Sequence, residues 1–536
     1  MQVVPSPRRP AAHALTAAAA ALGLLVACTT TARGHGVQGS SASPGSATPS
    51  TSASGTPSSP GTGTLDLTDC ASLINLSAAG IPEQRREKLN FDCGRVLVPV
   101  DYAKPAGATM SVAVIRIRYQ DQPDRIGSLL VNPGGPGASG FFLAISLAAS
   151  LPDDMLKHFD LVGFDPRGVG LSTPIRCESD KDETRALALN VDVRTAAGLT
   201  QAKNLAENFA AGCRAKYGAK LEHYNTVETA RDMDRIRAAV GDDKLNYLGF
   251  SYGTELGAVY AHLFPRRIRA AVLDGAVDPQ TTGDAIKAAE QQIAGFESSL
   301  DQFAADCATR SACKTLGNVR AAITALVKKA DATPIESSRS GETRTATGGN
   351  VLYAVLYSLY SQDLWPRLAT ALTAAQHGDA RGLFELDDAY SERDSDGHYS
   401  NILDVFQAVS CNDQRSDPSD AEIKQTAARW ATKFPTFGLW SAASLFQCQP
   451  WPKNRHPIPP ETAAGSKPIL VVGNLHDPAT PYAGAVNLAK TLGTGVLLSW
   501  DGEGHTSYGQ SDCIDEKVNA YLIDATVPPP NTTCPR

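Results

Sequence analysis

The chain has 536 residues with 49 Lys and Arg against 56 Asp and Glu, which gives a formal net charge of −7, and 42% of its residues are hydrophobic. This is the composition of a globular protein, and the length predicts an enlarged core or a core with an insertion. A nucleic-acid binder is excluded because no Lys/Arg-rich run occurs. Collagen, coiled-coil and multi-span membrane proteins are excluded because Gly is not periodic and the only long apolar run is N-terminal.

Residues 1–28 have the pattern of a lipoprotein signal peptide. Arg8 and Arg9 precede an apolar stretch over residues 11–27. The stretch ends in Leu25-Val26-Ala27-Cys28, which resembles the bacterial lipobox, so Cys28 is the predicted lipidation site. The alternative is an ordinary signal peptide in which Cys28 is incidental. We therefore expect an exported protein, lipid-anchored on the outer face of the cell membrane or released outside the cell.

Residues 29–64 are almost entirely Ser, Thr, Gly, Pro and Ala, which predicts a disordered tether. Cysteine usage agrees with export, because removing Cys28 from eleven cysteines leaves an even number without CxxC or zinc spacing. Five disulfides therefore fit, and a reduced cytosolic protein is the alternative. Pairing of sequence neighbours is a hypothesis, since connectivity does not follow from sequence: Cys70 with Cys93, Cys177 with Cys213, Cys307 with Cys313, Cys411 with Cys448, and Cys513 with Cys534.

Strands and helices are predicted to alternate after the tether. Residues 95–100 and 110–118 alternate apolar and polar side chains around a turn, which predicts an antiparallel hairpin. A helix is predicted from Thr226 to a stop at Gly241. Short apolar runs between helices predict a mostly parallel sheet with helices on both faces, hence an α/β fold with its chemistry at the carboxyl ends of the strands. These runs are residues 126–131, 159–164, 245–248, 268–273, 469–472 and 496–500.

The pentapeptide Gly249-Phe250-Ser251-Tyr252-Gly253 matches G-x-S-x-G between a predicted strand and a predicted helix. A sharp turn at this point exposes a serine hydroxyl, and the flanking glycines leave room for the crowded backbone. Ser251 is therefore the predicted nucleophile. A Gly/Ser turn without a chemical role is the alternative.

A nucleophilic serine needs a base and an orienting carboxylate, in the chain order Ser, Asp, His if this is an α/β-hydrolase. Asp477 and His505 each follow a predicted strand, in that order, and are the predicted partners. His476 is a competing base that reverses the order. The competing carboxylates are Asp501 and Glu503, which lie close to His505 in sequence.

Acyl transfer also needs two backbone N–H donors for the oxyanion. The segment Asn132-Pro133-Gly134-Gly135-Pro136-Gly137 follows a predicted strand and lets the backbone approach a substrate closely. Gly135 and Tyr252 are the predicted donors. The alternative is a Gly/Pro turn without a catalytic task.

These motifs together resemble those of the secreted tripeptidyl aminopeptidases of actinobacteria, α/β-hydrolase serine peptidases related to proline iminopeptidase. The resemblance runs from about residue 91 to the C-terminus. It implies a serine exopeptidase that releases short peptides from free N-termini, with the triad Ser251, Asp477 and His505. Proline iminopeptidases have His before the paired glycines where this chain has Pro133, and the group also includes esterases and lipases. The motifs are the segments 132–137, 165–172, 249–254, 273–275 and 477–481.

The domain prediction follows from these elements. Residues 65–285 form the N-terminal part of the hydrolase core, residues 286–464 a mainly helical lid, and residues 465–536 the rest of the core with Asp477 and His505. Tyr353, Tyr357 and Tyr360 either line a pocket under the lid or pack within a helix core.

An aminopeptidase must bind an α-ammonium group, which a partly buried carboxylate does well. Glu255 and Asp413 are the candidates, and a solvated or structurally paired acid is the alternative for each. The predicted partners are peptide or small protein substrates, without nucleic acid, cofactor or metal, and the expected state is a monomer. A carboxylesterase or lipase with the same triad is the second functional hypothesis, and a non-catalytic surface binding lipoprotein is the third.

Overall fold

The computed structural model describes residues 65–310 and 313–536 of the chain. The predictions for residues 1–28 and 29–64, including lipidation at Cys28, lie outside these residues. The described chain forms one ten-stranded sheet in the order β1-β2-β3-β5-β4-β6-β7-β8-β9-β10. The strands are β1 (Thr68–Asp69), β2 (Leu89–Pro99), β3 (Thr109–Tyr119), β4 (Gly127–Asn132), β5 (Phe159–Phe164), β6 (Leu245–Phe250), β7 (Ile268–Asp274), β8 (Ile469–His476), β9 (Gly495–Glu503) and β10 (Thr532–Cys534).

The first three strands form an antiparallel edge, and β3 is also antiparallel to β5; every later neighbour pair is parallel. The predicted hairpin is confirmed as β2 and β3. β2 begins earlier than predicted because its polar residues are satisfied across the hairpin. Asp92 accepts hydrogen bonds from Arg116 at 3.2 Å and from Arg118 at 2.9 Å.

The parallel strands are buried on both faces, as predicted for an α/β fold. On β8, Ile469 and Val471 pack into the cluster on one face of the sheet, whereas Leu470 and Val472 pack into the cluster on the other. Helices cover both faces and also connect the strands. Those before the long insertion are α1 (Glu83–Arg86), α2 (Gly140–Ser150), α3 (Asp153–His158), α4 (Asp180–Leu187), α5 (Ala196–Tyr217), α6 (Thr226–Ala239) and α7 (Tyr252–Leu263).

The insertion between β7 and β8 is mainly helical. Its helices are α8 (Ala285–Thr309), α9 (Val319–Ala332), α10 (Gly348–Leu359), α11 (Trp365–Gln376), α12 (Arg381–Ser391), α13 (Ile402–Asp413), α14 (Asp420–Lys433) and α15 (Gly438–Ser441); after β8 come α16 (Ala483–Leu492) and α17 (Asp512–Asp524). Most insertion helices bury their apolar residues in a hydrophobic cluster of their own, which we call the lid cluster. No helix in the described ranges is both long and apolar enough to cross a membrane.

Two segments connect the lid to the core. Val193, Ala202 and Ala206, which precede β6 in the chain, pack in the lid cluster, although the sequence suggested that they belong with the core. In the other direction, Val405 and Ala408 of α13 pack in the core cluster beneath the sheet. The lid therefore has contributions from both sides of β6.

Arg167 fixes the loop after β5. Its buried guanidinium donates to the carbonyls of Val100 at 3.1 Å and His223 at 2.8 Å, and it forms a two-point ion pair with Asp232 at 2.7 Å. The carbonyl bonds agree with a structural role for this arginine.

Five disulfides join each cysteine of the described residues to its neighbour in sequence, which confirms the pairing hypothesis: Cys70–Cys93, Cys177–Cys213, Cys307–Cys313, Cys411–Cys448 and Cys513–Cys534. The sequence separations range from 6 to 37 residues. Each bridge therefore staples a local segment.

The two lid disulfides differ in the size of the loop that they close. Because a longer loop loses more entropy when it is closed, removing Cys411–Cys448 (separation 37) by Cys411→Ser with Cys448→Ser should lower the free energy of unfolding by about 4 kcal/mol. The matched control, Cys307→Ser with Cys313→Ser (separation 6), should cost about 2 kcal/mol. Calorimetric melting temperatures compare the two variants, and an equal or reversed order would contradict the loop-closure explanation.

Candidate active site

Ser251 occupies a strained turn between β6 and α7. Its backbone has φ 55° and ψ −125°, a conformation that residues other than glycine rarely adopt. The flanking glycines are required by space, since a Cβ on Gly249 would lie 2.5 Å from the carbonyl oxygen of Gly253 and a Cβ on Gly253 would lie 2.9 Å from that of Asn132. The turn therefore places Ser251 at the carboxyl end of β6, directly before α7.

Asp477 and His505 lie in contact at the ends of β8 and β9. Nδ1 of His505 is 2.9 Å and 3.0 Å from the two carboxylate oxygens of Asp477. Asp477 is buried and also accepts from the backbone N–H groups of Ala479 at 2.9 Å, Thr480 at 2.8 Å and Thr506 at 3.2 Å. These bonds hold the carboxylate in one orientation, so it fixes the imidazole ring.

The surroundings of His505 stabilise the protonated form of its ring, as a general base requires. Burial alone lowers the pKa of His505, but the charge of Asp477, its hydrogen bond and the charge of Asp274 together raise it above the usual value. Nε2 is buried, and no group in residues 65–310 and 313–536 forms a hydrogen bond with it. This nitrogen is the one that is free to exchange a proton with a substrate or with Ser251, and such bonds often tighten only when a substrate binds.

The competing residues are engaged elsewhere. Nε2 of His476 lies 3.3 Å from the carboxylate of Asp501, in an exposed pair. Glu503 pairs with Arg536 near the C-terminus. Of the three candidate carboxylates, Asp477 is therefore the one that contacts the ring of His505.

The glycine-rich loop after β4 approaches Ser251 closely. A Cβ on Gly134 would lie 2.9 Å from both Cβ of Ser251 and the backbone nitrogen of Tyr252. The N–H of Gly134 already donates to Asn132 Oδ1 at 3.0 Å. Among the described residues, the N–H groups of Gly135 and Tyr252 donate to no protein acceptor, so both remain available to an oxyanion.

The lid contacts the loop of residues 504–508 that carries His505, which we call the histidine loop, through Tyr360. The carbonyl of Tyr360 accepts a hydrogen bond from the backbone N–H of His505 at 2.8 Å, and its ring lies edge-on to the imidazole with the centroids 5.4 Å apart. Tyr353 packs on Tyr390 at 5.3 Å and on Trp440 at 4.7 Å. The tyrosine run thus contacts both the catalytic region and the lid helices.

The two amine-site candidates lie near Tyr252 and each other. Glu255 accepts from Thr282 Oγ1 at 2.8 Å, and burial raises its pKa to about 7 even though this bond lowers it. Asp413 is buried and accepts from the N–H and hydroxyl of Thr226, at 3.1 Å and 2.6 Å. Burial raises its pKa well above the usual value, the Thr226 bonds lower it, and the charge of Glu255 raises it further.

A third acid, Glu461, joins these two and was not found from the sequence. It shares the hydroxyl of Thr282 with Glu255, at 3.5 Å, and its Oε2 is buried without a hydrogen-bond partner in the described chain. Burial and the charge of Glu255 raise its pKa. We call Glu255, Asp413 and Glu461 the acidic cluster. Among the described residues, no Lys, Arg or His forms an ion pair with these three acids, although the charge of Arg415 is near enough to lower the pKa of Glu461.

Asp274 and Thr480 were also not singled out as site residues. Thr480 donates its hydroxyl to Asp477 at 3.1 Å, and Asp274 ends β7 between the nucleophile strand and β8. Both follow a predicted strand, and this position in the sequence could have marked them as candidates for the site. Within the described ranges, no group of three or more His, Cys, Asp or Glu is arranged to hold a metal ion.

The family relationship agrees with this arrangement. Residues 127–510 match the sequence profile described as alpha/beta hydrolase fold. The chain belongs to the α/β-hydrolase fold family. The predicted fold class is confirmed, and the helical insertion of this α/β-hydrolase lies between β7 and β8, before the strand that leads to Asp477.

Three relatives are similar over most of this α/β-hydrolase. Serine protease Hip1 from Mycobacterium tuberculosis H37Rv is 39% identical over 461 residues, which cover 82% of this chain and 87% of that protein. Carboxylesterase B from the same organism is 37% identical over 458 residues (82% and 86%). Tripeptidyl aminopeptidase from Streptomyces lividans is 33% identical over 484 residues (88% and 86%), which confirms the family resemblance found in the sequence.

Proposed function

We propose that this hydrolase is a serine exopeptidase that releases short peptides from free N-termini through an acyl-enzyme at Ser251. The observation that carries the proposal is the buried Asp477–His505 pair at the same edge of the sheet as Ser251, which lies on a strained strand-to-helix turn. The relatives named as a serine protease and a tripeptidyl aminopeptidase support a peptide substrate. The Ser, Asp, His order along the chain is that of an α/β-hydrolase.

The reaction follows from the roles of these groups. Oγ of Ser251 attacks the scissile carbonyl carbon while Nε2 of His505 takes its proton, and Asp477 stabilises the imidazolium through Nδ1–H. The N–H groups of Gly135 and Tyr252 donate to the oxyanion. His505 then protonates the leaving amine. Water attacks the acyl-enzyme by the same route, which frees the released peptide and regenerates Ser251.

The acidic cluster supplies the preference for a free N-terminus. The charge of Glu255 raises the pKa of both Asp413 and Glu461, and no described Lys, Arg or His forms an ion pair with the three acids. A substrate ammonium group placed among them gains charge-assisted hydrogen bonds in a poorly hydrated site. Glu255 lies one helical turn after Ser251, and its charge raises the pKa of Tyr252. The acidic cluster therefore adjoins Tyr252, a predicted oxyanion donor.

A carboxylesterase is the second candidate, because a relative of 37% identity carries that name. An esterase uses the same three residues but needs no ammonium site. The triad therefore does not distinguish an exopeptidase from an esterase, whereas the role of the acidic cluster in substrate binding does.

Ser251→Ala should lower kcat on a tripeptide amide reporter by about 10⁶-fold, because no other hydroxyl replaces the nucleophile, and Asp477→Ala by about 10⁴-fold. Turnover by purified wild-type protein is measured on the free tripeptide amide, its N-acetylated twin and a short-chain aryl ester. Cleavage of the free peptide alone supports the exopeptidase. Ester turnover with both peptides untouched would assign the protein to the esterases, and retained turnover by Ser251→Ala would contradict the nucleophile.

Glu255→Gln should raise KM for the free tripeptide amide by about 10- to 100-fold, because a charged hydrogen bond to the ammonium group is lost. Its KM for the aryl ester should stay unchanged. In the wild type, KM for the free peptide should rise as the pH falls through the pKa of Glu255 at about 7, since protonation removes the negative charge.

The matched control is Glu183→Gln. Glu183 is another buried acid, and burial together with the charges of Asp404 and Glu178 raises its pKa to about 9. This variant should keep the KM of the wild type for both substrates. The reverse pattern, with KM raised by Glu183→Gln alone, would move the ammonium site to the acids around Asp404.

We also propose that the enzyme is exported and anchored by a lipid on Cys28. The support is the lipobox-like segment 25–28 followed by the Ser/Thr/Gly/Pro-rich segment 29–64. Cys28→Ser should move the protein from the membrane fraction to the soluble fraction, as measured by immunoblotting of cell fractions. An unchanged distribution would contradict the anchor.

A further inference from the structure

Asp274 joins the nucleophile turn to the histidine loop. β7 lies between β6 and β8, with Asp274 opposite Phe250 on one side and Val472 on the other. The backbone carbonyl of Asp274 accepts a hydrogen bond from the N–H of Ser251 at 2.9 Å. Asp274 thus uses its main chain to contact the turn that carries Ser251.

The side chain of Asp274 binds the loop that carries the base. Its oxygens accept from the N–H of Ser507 at 3.0 and 3.1 Å and from the N–H of Tyr508 at 2.7 Å. The carboxylate is fully buried. The next residue, Gly275, lies directly against the imidazole, because a Cβ there would lie 3.2 Å from Cε1 of His505.

The histidine loop needs such support because its backbone is strained. Thr506, between His505 and Ser507, has φ 69°, which a β-branched residue rarely adopts. Strained residues persist only where the surroundings fix them. Here Asp477 binds the N–H of Thr506 on one side, and Asp274 binds the next two N–H groups on the other.

We infer that Asp274 is a positioning residue that holds Ser251 and His505 in register and supplies a second carboxylate charge next to the imidazole. The inference rests on the proposed roles of Ser251 and His505. The charged groups that face His505 are Asp477 from the turn after β8 and Asp274 from β7, while the lid contributes the neutral ring of Tyr360.

The charge of Asp274 has a defined effect on the pH dependence. It contributes to raising the pKa of His505, so its removal lowers that pKa and keeps the base neutral to lower pH. Burial raises the pKa of Asp274 itself to about 6, the bonds from Tyr508 and Ser507 lower it, and the charge of Asp477 raises it. The carboxylate is therefore charged at neutral pH and loses its charge in the acid range.

The test uses Asp274→Asn in the full chain and measures the rate at which a fluorophosphonate labels Ser251 between pH 5 and 9. This rate reports activation of the serine by His505 and does not depend on substrate class. We expect a loss of about 10- to 100-fold at pH 8, because a small displacement of the reacting groups costs that much. We also expect the acid limb of the curve of labelling rate against pH, where the rate falls as the pH decreases, to move to lower pH by about one unit.

The matched control is Asp160→Asn. Asp160 is likewise a buried acid, but it lies at the start of β5 and pairs with Arg125 at 2.9 Å. The control should keep the rate and the acid limb of the wild type. A rate loss in Asp274→Asn without a shifted acid limb would reduce Asp274 to a structural residue and overturn the inference, as would a rate and limb equal to those of the control.

A second measurement keeps the inference testable where circular dichroism shows that Asp274→Asn is unfolded. In the wild type, protonation of both His505 and Asp274 should steepen the acid limb, so that the logarithm of the labelling rate falls with a slope approaching 2 below the Asp274 pKa of about 6. A slope of one down to pH 5 would overturn the inference. Absence of labelling in the wild type would overturn the proposed nucleophile as well, which distinguishes the two failures.

Discussion

The parallel pairing of β6, β7 and β8 is the constraint on which the site depends. Parallel strands in register end at the same edge of the sheet, so the turns that follow them meet there. Ser251, Asp274 and Asp477 stand at these three turns, and His505 follows the next strand, β9. Hydrogen bonds then join these turns, because Asp274 accepts from the N–H of Ser251 through its carbonyl and from the N–H groups of Ser507 and Tyr508 through its carboxylate.

The sequence predicted most of this edge because each residue is marked locally. Ser251 lies between glycines whose missing side chains the turn requires, and Asp477 and His505 follow apolar runs that could only be buried strands. The start of β2 was predicted too late because its polar residues are paired across the hairpin with arginines, which alternation of hydrophobicity does not reveal.

The remaining parts of the site come from residues that are distant in the chain. Glu461 meets Glu255 through Thr282, and the carbonyl of Tyr360 binds the N–H of His505. No local pattern marks such contacts, because they depend on how the lid folds back over the core. The packing of Val193 and Ala202 in the lid cluster has the same origin. Site residues that directly follow a strand could therefore be predicted from the sequence. Site residues that the lid contributes could not.

The disulfides have a consequence for the order of folding. Within the described chain, each bridged cysteine is paired with the nearest bridged cysteine in sequence, and none of the five loops encloses or overlaps another. A chain that emerges from its N-terminus onward therefore presents these ten bridged cysteines two at a time in native pairs. Each pair can be oxidised as soon as its second thiol is exposed, before the next cysteine is available to compete. Cross-pairing is thus disfavoured by the arrangement of the cysteines along the chain, and the demand for disulfide isomerisation is low.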